Sequence, residues 1–136
     1  MVLTTNGKMK RFAAHYIFIP SFQFHKLHCV ELDENNCLQN IFPLEKETAN
    51  TSFFNGILIF SKQELSAEIF LKTLKDEAQK HSDFSVFELL KKQNLSEIKK
   101  NDFVFVYHLD GINLFSLKVF EEKNPNQKLL FRRILL

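Results

Sequence analysis

The sequence predicts an α+β domain that is mainly β, and three observations carry this. Apolar residues follow strand-like patterns up to residue 60, recur at helical spacing over residues 61–93, and return to strand-like patterns over residues 102–135. The layout is four strands, two helices and then three strands, in a chain of 136 residues, the length of a single domain.

Each element has its own signal. Residues 1–9 are polar and are expected to fray. Residues 10–19 form a strand with Phe12, Ala14, Tyr16 and Phe18 on one face, and Pro20 ends it. Residues 22–32 form a second strand and residues 37–42 its hairpin partner, with Asn36 able to take the left-handed position of the turn. Residues 43–51 are loop-like, and 52–60 are a strand with Gly56 inside it. Ser61 and Glu64 have capping-box spacing. Ala67, Phe70, Leu71, Leu74 and Ala78 then form one helical stripe. Ser85 and Glu88 repeat the capping-box spacing before a short helix through about residue 93. Residues 102–109 carry Phe103, Phe105 and Tyr107 on one face and Val104, Val106 and His108 on the other, so this strand is expected to be buried on both sides. Asp110-Gly111 signals a turn. Residues 117–120 and 129–135 are the last strands, joined by the polar stretch 121–127.

Composition excludes several classes. The net charge is +2, from 18 basic and 16 acidic residues, so no strong field draws the chain to nucleic acid. No apolar run approaches the roughly 20 residues that span a bilayer. The first 11 residues lack an apolar signal core, which predicts a soluble, cytoplasmic chain. There are 3 Gly and 3 Pro, where average usage gives about 10 and 7. No G-x-G-x-x-G, phosphate loop or G-x-S-x-G occurs. The 16 Phe and absent Trp imply a Phe-filled core, with any surplus available for an interface.

The chemistry-bearing residues are scattered. Cys29 and Cys37 are the only cysteines. With Leu32 opposite Cys37, Cys29 faces Asn40, so the thiols stay apart and reduced. His25 and His28 would point to opposite faces of a strand and could not share a metal. Glu31, Asp33 and Glu34 sit near a turn, where they are expected to be solvated. The lysines at 91–92 and 99–100 are interleaved with acids, as on a solvated face, and Arg132 and Arg133 diverge from adjacent strand positions. His28, Cys29, Tyr107 and His108 are the ligand-binding candidates if they cluster; no catalytic residue, metal ligand or cofactor site is assigned.

Three segments resemble the amidohydrolase superfamily, the metal-dependent hydrolases. Lys10-Arg11-Phe12-Ala13-Ala14-His15-Tyr16-Ile17-Phe18 is similar to their opening strand. Residues 29–38 are similar to their hairpin, with Asn36 where Gly is usual. Phe53-Phe54-Asn55-Gly56-Ile57-Leu58-Ile59 resembles the stretch leading into the catalytic barrel. The family then has Pro-Gly and a metal-binding His-x-His; this chain has Phe60-Ser61-Lys62-Gln63. Residues 74–93 resemble the late helices, and residues 101–109, 111–114 and 130–134 the closing strands. The resemblance implies the family's small β-sandwich, the composite domain, with the helical segment 61–93 in place of the barrel. A barrel needs about 200 residues or more, and no ligand residue carries over.

The function expected from this is non-catalytic: a remnant of an amidohydrolase-like protein acting as a protein-interaction or assembly module, whose partner is a second copy or another protein. The alternative is a small-ligand protein or enzyme with a new, non-metal site; nucleic-acid binding ranks last, and no membrane is involved. Because both faces of residues 102–109 are apolar, Phe105→Ala should cost roughly 3–5 kcal/mol in urea denaturation. A loss below about 1 kcal/mol would put that ring outside the core.

Overall fold

The protein is seen in a computed structural model that describes residues 9–20, 23–44, 50–119 and 128–136. Residues 1–8, Phe22, the middle of the 43–51 loop, Phe120 and the 121–127 connection lie outside the described residues. The elements are β1 (Lys10–Ile19), β2 (Gln23–Lys26), β3 (His28–Leu32), β4 (Leu38–Pro43), β5 (Thr51–Ser61), α1 (Ala67–Lys80), α2 (Val86–Lys91), β6 (Phe105–Asp110) and β7 (Leu130–Ile134). The mainly β architecture with a two-helix insert is therefore as the sequence implies. All the described strands belong to one mixed sheet in the order β4-β3-β1-β5-β6-β7, with β2 also pairing β1.

Only β1 and β5 run parallel; the other pairs are antiparallel. The β1–β5 register slips between Ala14 and Tyr16, which face Phe54 and Ile57. The slip changes which residues of β1 face which core. Phe12 and Ala14, then Ile17 and Ile19, enter one apolar cluster, while Phe18 enters the other with Tyr16 packed against it. The extra residue in β5 lies at Asn55–Gly56, where Gly56 has φ +96°. A Cβ there would meet the Leu109 carbonyl oxygen at 2.6 Å, so glycine is required both by conformation and by the approach of β6. The second strand expected over residues 22–32 is broken into β2 and β3 by Leu27, which has φ 52°.

The first core lies between the sheet and the helices. Phe70, Leu74 and Ala78 of α1 and Val86, Leu89 and Leu90 of α2 pack on Phe18, Ile57, Ile59, Tyr107, Leu109 and Phe131. The helical stripe therefore holds. The start of α1 differs from the expectation: Ser66 is its N-cap, accepting from the Ile69 N–H. Ser61 ends β5 instead and accepts from Gln63 N–H. The Ser85–Glu88 capping box forms with both of its bonds, although α2 stops at Lys91.

The second core holds Phe12, Ile17, Val30, Leu32, Leu58, Phe60, Ile98 and Val106, among others. Backbone bonds close it. Leu38 N–H donates to Asp102, Asn101 N–H to Leu38, and Val104 N–H to Asn36. Cys37 bridges Phe103. The β4 edge thus meets the residues that lead into β6, and the wall formed by β3, β1, β5 and β6 returns to β4. Lys99 N–H donates to the Asp102 carboxylate at 2.7 Å and Lys62 lies 3.5 Å away; the backbone bond and the ammonium hold that carboxyl below its usual range.

Several expectations change. In the hairpin, Leu32 pairs with Leu38 and Cys29 with Phe42, because the register shifts between Glu31 and Leu32; the Asn36 conformation, φ 65°, is as expected. Glu31 is buried rather than solvated, paired with Arg11 at 2.8 Å and accepting from Asn40. Residues 117–119 form no strand: Leu117 has φ 57°, and its carbonyl accepts from Val86 N–H at the start of α2. Phe103 is exposed and Phe105 only half-buried, so residues 102–109 are not covered on both sides along their whole length.

The 3–5 kcal/mol truncation penalty accordingly moves from Phe105 to Phe60, which is buried in the second core. In urea denaturation Phe60→Ala should lose about that much, and Phe105→Ala clearly less. Gly56→Ala should cost at least about 1–3 kcal/mol, from the left-handed backbone and the Leu109 carbonyl together; an unchanged midpoint would mean that β6 can retreat without loss.

Candidate functional site

The four candidates from the sequence do not form one site. Cys29 is fully buried beside Ala13 of β1 and Phe42 of β4. Burial pushes its thiol pKa up. Tyr107 lies beneath the helices in the first core. Its hydroxyl accepts from Leu65 N–H at 2.6 Å and donates to the Leu65 carbonyl at 3.3 Å, which holds the chain just before α1. His108, the next residue, is on the opposite face of β6. Its Nε2–H donates to the Asn55 carbonyl, and its ring rests 5.2 Å from Phe54. His28 begins β3, at the break made by Leu27. Two strands separate β3 from β6, so three interstrand spacings, about 14 Å, lie between the two halves of the set.

His25 and His28 correct a second expectation. They do not point apart. Leu27 breaks the alternation between them, and their rings come to a centroid distance of 4.6 Å with an interplanar angle of 43°. Strand periodicity had no signal for this, because a left-handed leucine is rare.

The thiols stay unpaired, as expected. Cys37 is also pushed above its ordinary pKa, first by desolvation and then by the carboxylates of Asp33 and Asp102. Neither cysteine has the lowered pKa of a reactive thiol. Among the described residues no three His, Cys, Asp or Glu side chains group to hold a metal.

An exposed apolar region lies where β6 begins and β7 ends. A groove of about 150 Å³ is lined there by Asn36, Phe103, Phe105, Arg133, Leu135 and Leu136, with neighbouring strand residues. Phe103 and Phe105 meet edge to face at 5.1 Å. The Arg133 guanidinium sits 4.6 Å over the Phe105 ring and pairs with Glu64. Arg132 diverges from it, as the sequence implies, pairing in register with His108 while Arg133 pairs with Tyr107. Leu135 is 88% exposed, Phe103 47% and Leu136 41%. Strand periodicity gives no sign of this region; the available signal in the sequence is the apolar run Ile134-Leu135-Leu136 after two arginines. Chemically the groove offers apolar side chains and one stacked cation, without a nucleophile or an acid–base pair.

No family model, curated protein or solved structure matches the chain. Among the described residues no helix is long and apolar enough to cross a membrane.

Removing the Tyr107 hydroxyl leaves the Leu65 N–H without that partner, so Tyr107→Phe should cost about 1–3 kcal/mol in urea denaturation. An unchanged midpoint would show that the ring alone positions α1.

Proposed function

We propose that this chain is a protein-interaction module without chemistry of its own, and that it associates with a second copy of itself through the groove between the start of β6 and the end of β7. The observation that carries the reading is the cluster of exposed Phe103, Leu135 and Leu136 around that groove. Water-exposed apolar side chains gathered in one place mark an association surface. Two identical patches meeting about a twofold axis would each cover the other. In the sheet order β7 stands at the end, with β6 as its described neighbour, and an end strand offers backbone groups for pairing.

The same reading takes the chain to be an amidohydrolase-like composite domain that has lost its barrel. Its support is the order of the parts: an opening strand, a hairpin, the Asn55–Gly56 strand, and then a helical segment in the barrel's place. The helices cover one face of the sheet, the role the resemblance gives to the barrel. A ligand site made from His28, Cys29, Tyr107 and His108 has less support, because those side chains are spread over three strand spacings and both faces.

Size-exclusion chromatography with light scattering tests the association. The chain has a mass of 16.0 kDa, so the expected mass is twice that, about 32 kDa, and Phe103→Asp with Leu135→Asp should return it to 16.0 kDa. A wild-type chain at 16.0 kDa over the whole accessible concentration range overturns self-association.

A further inference from the structure

We propose that His25 and His28 together bind a borderline divalent transition-metal ion, zinc being the representative case. Three features of the backbone and rings converge on this.

The first is the kink between them. Leucine at φ 52° is in a region that L side chains rarely adopt. Leu27 is held there from both sides: its N–H donates to the His15 carbonyl at 3.0 Å, and its carbonyl accepts from Leu44 N–H at 2.8 Å. The result of this unusual conformation is that two imidazoles three residues apart share one side.

The second is their separation. Zinc–nitrogen bonds of about 2.0–2.1 Å, meeting at about 90–110°, place two imidazole centroids roughly 4.5–5 Å apart. The observed distance is 4.6 Å. The ring centroids therefore stand at the separation that chelation of one ion calls for.

The third is orientation. His28 Nδ1–H donates to the Lys26 carbonyl at 3.0 Å. That bond fixes the tautomer and leaves the Nε2 lone pair as the donor to an ion, the usual arrangement behind a metal-ligating histidine.

Other histidines do not compete. His15 Nδ1 accepts from Gly56 N–H, and His108 Nε2–H donates to Asn55. No third described carboxylate, thiol or imidazole completes a larger group. Two imidazoles then supply the protein ligands, and water takes the other positions. A site of that kind suits Zn²⁺, Ni²⁺ or Cu²⁺ rather than the oxygen-seeking Mg²⁺ or Ca²⁺.

The test is calorimetric titration of Zn²⁺ into the reduced, chelator-treated full chain at neutral pH. Wild type should bind one equivalent. His25→Gln and His28→Gln should each weaken binding by about tenfold or more, while His81→Gln, on the far helix, should leave it unchanged. Circular dichroism checks that the variants fold. Should either fail to fold, imidazole nitrogen–proton NMR of the wild type gives the same information, since zinc should shift the ring resonances of His25 and His28. Binding that survives both substitutions, loss of binding in His81→Gln, or no heat and no ring shift in excess zinc overturns the proposal and leaves a plain contact between two rings.

Discussion

Alternation along β1 changes between Ala14 and Tyr16, and the two cores depend on that change. A strand shows successive side chains to opposite faces, so a single slip moves every following residue to the other side. Before the slip Phe12 and Ala14 enter the second core; after it Ile17 and Ile19 do, while Phe18 turns to the helices. The neighbouring strands accommodate it in different ways. β5 carries an extra residue at Asn55–Gly56, and β2 separates from β3 at Leu27. His15 ties these places together: its Nδ1 accepts from Gly56 N–H, and its carbonyl accepts from Leu27 N–H.

The bend has consequences for both layers. On one side the sheet meets α1 and α2, and the Tyr107 hydroxyl fixes where α1 begins by holding both backbone groups of Leu65. On the other side the β4 edge reaches residues 101–104 and encloses an apolar interior. These backbone bonds pair polar groups of Leu38, Asn36, Asn101, Asp102 and Val104 beside the second core, which is a condition for burying it. The exposed groove lies where this closure ends, because Phe103 and Phe105 emerge from the seam and the β7 terminus runs past them. Self-association through that groove and metal binding at the His25–His28 kink use different parts of the sheet, so the two proposals stand or fall separately.

Local sequence was most legible where one physical signal acted alone. The bounds of β1 followed from alternation and Pro20. The α1 face followed from the spacing of Phe70, Leu74 and Ala78. The turn at Asn36 and the cap at Ser85 followed from residue chemistry. Signals failed where another contact competed. Ser61 had cap spacing, but it was needed to end β5, and Ser66 capped the helix. Leu117 had strand composition, yet it bonds to the start of α2. Phe105 alternates like a core residue, yet it lies half-buried against Arg133 and Phe103. Glu31 was expected in water near a turn, and Arg11 across the sheet buried it.

By itself the sequence determined the bounds of β1, the apolar face of α1, the capping of α2, the left-handed turn at Asn36, the absence of common nucleotide motifs, and the separation of the two thiols. These are local consequences of periodicity, side-chain branching and residue type. Tertiary structure decided which face each half of β1 presents, how the β4 edge finds residues 101–104, and why His25 and His28 meet. Each of those depends on hydrogen bonds between residues far apart in the chain, and on a left-handed leucine that no periodic pattern encodes.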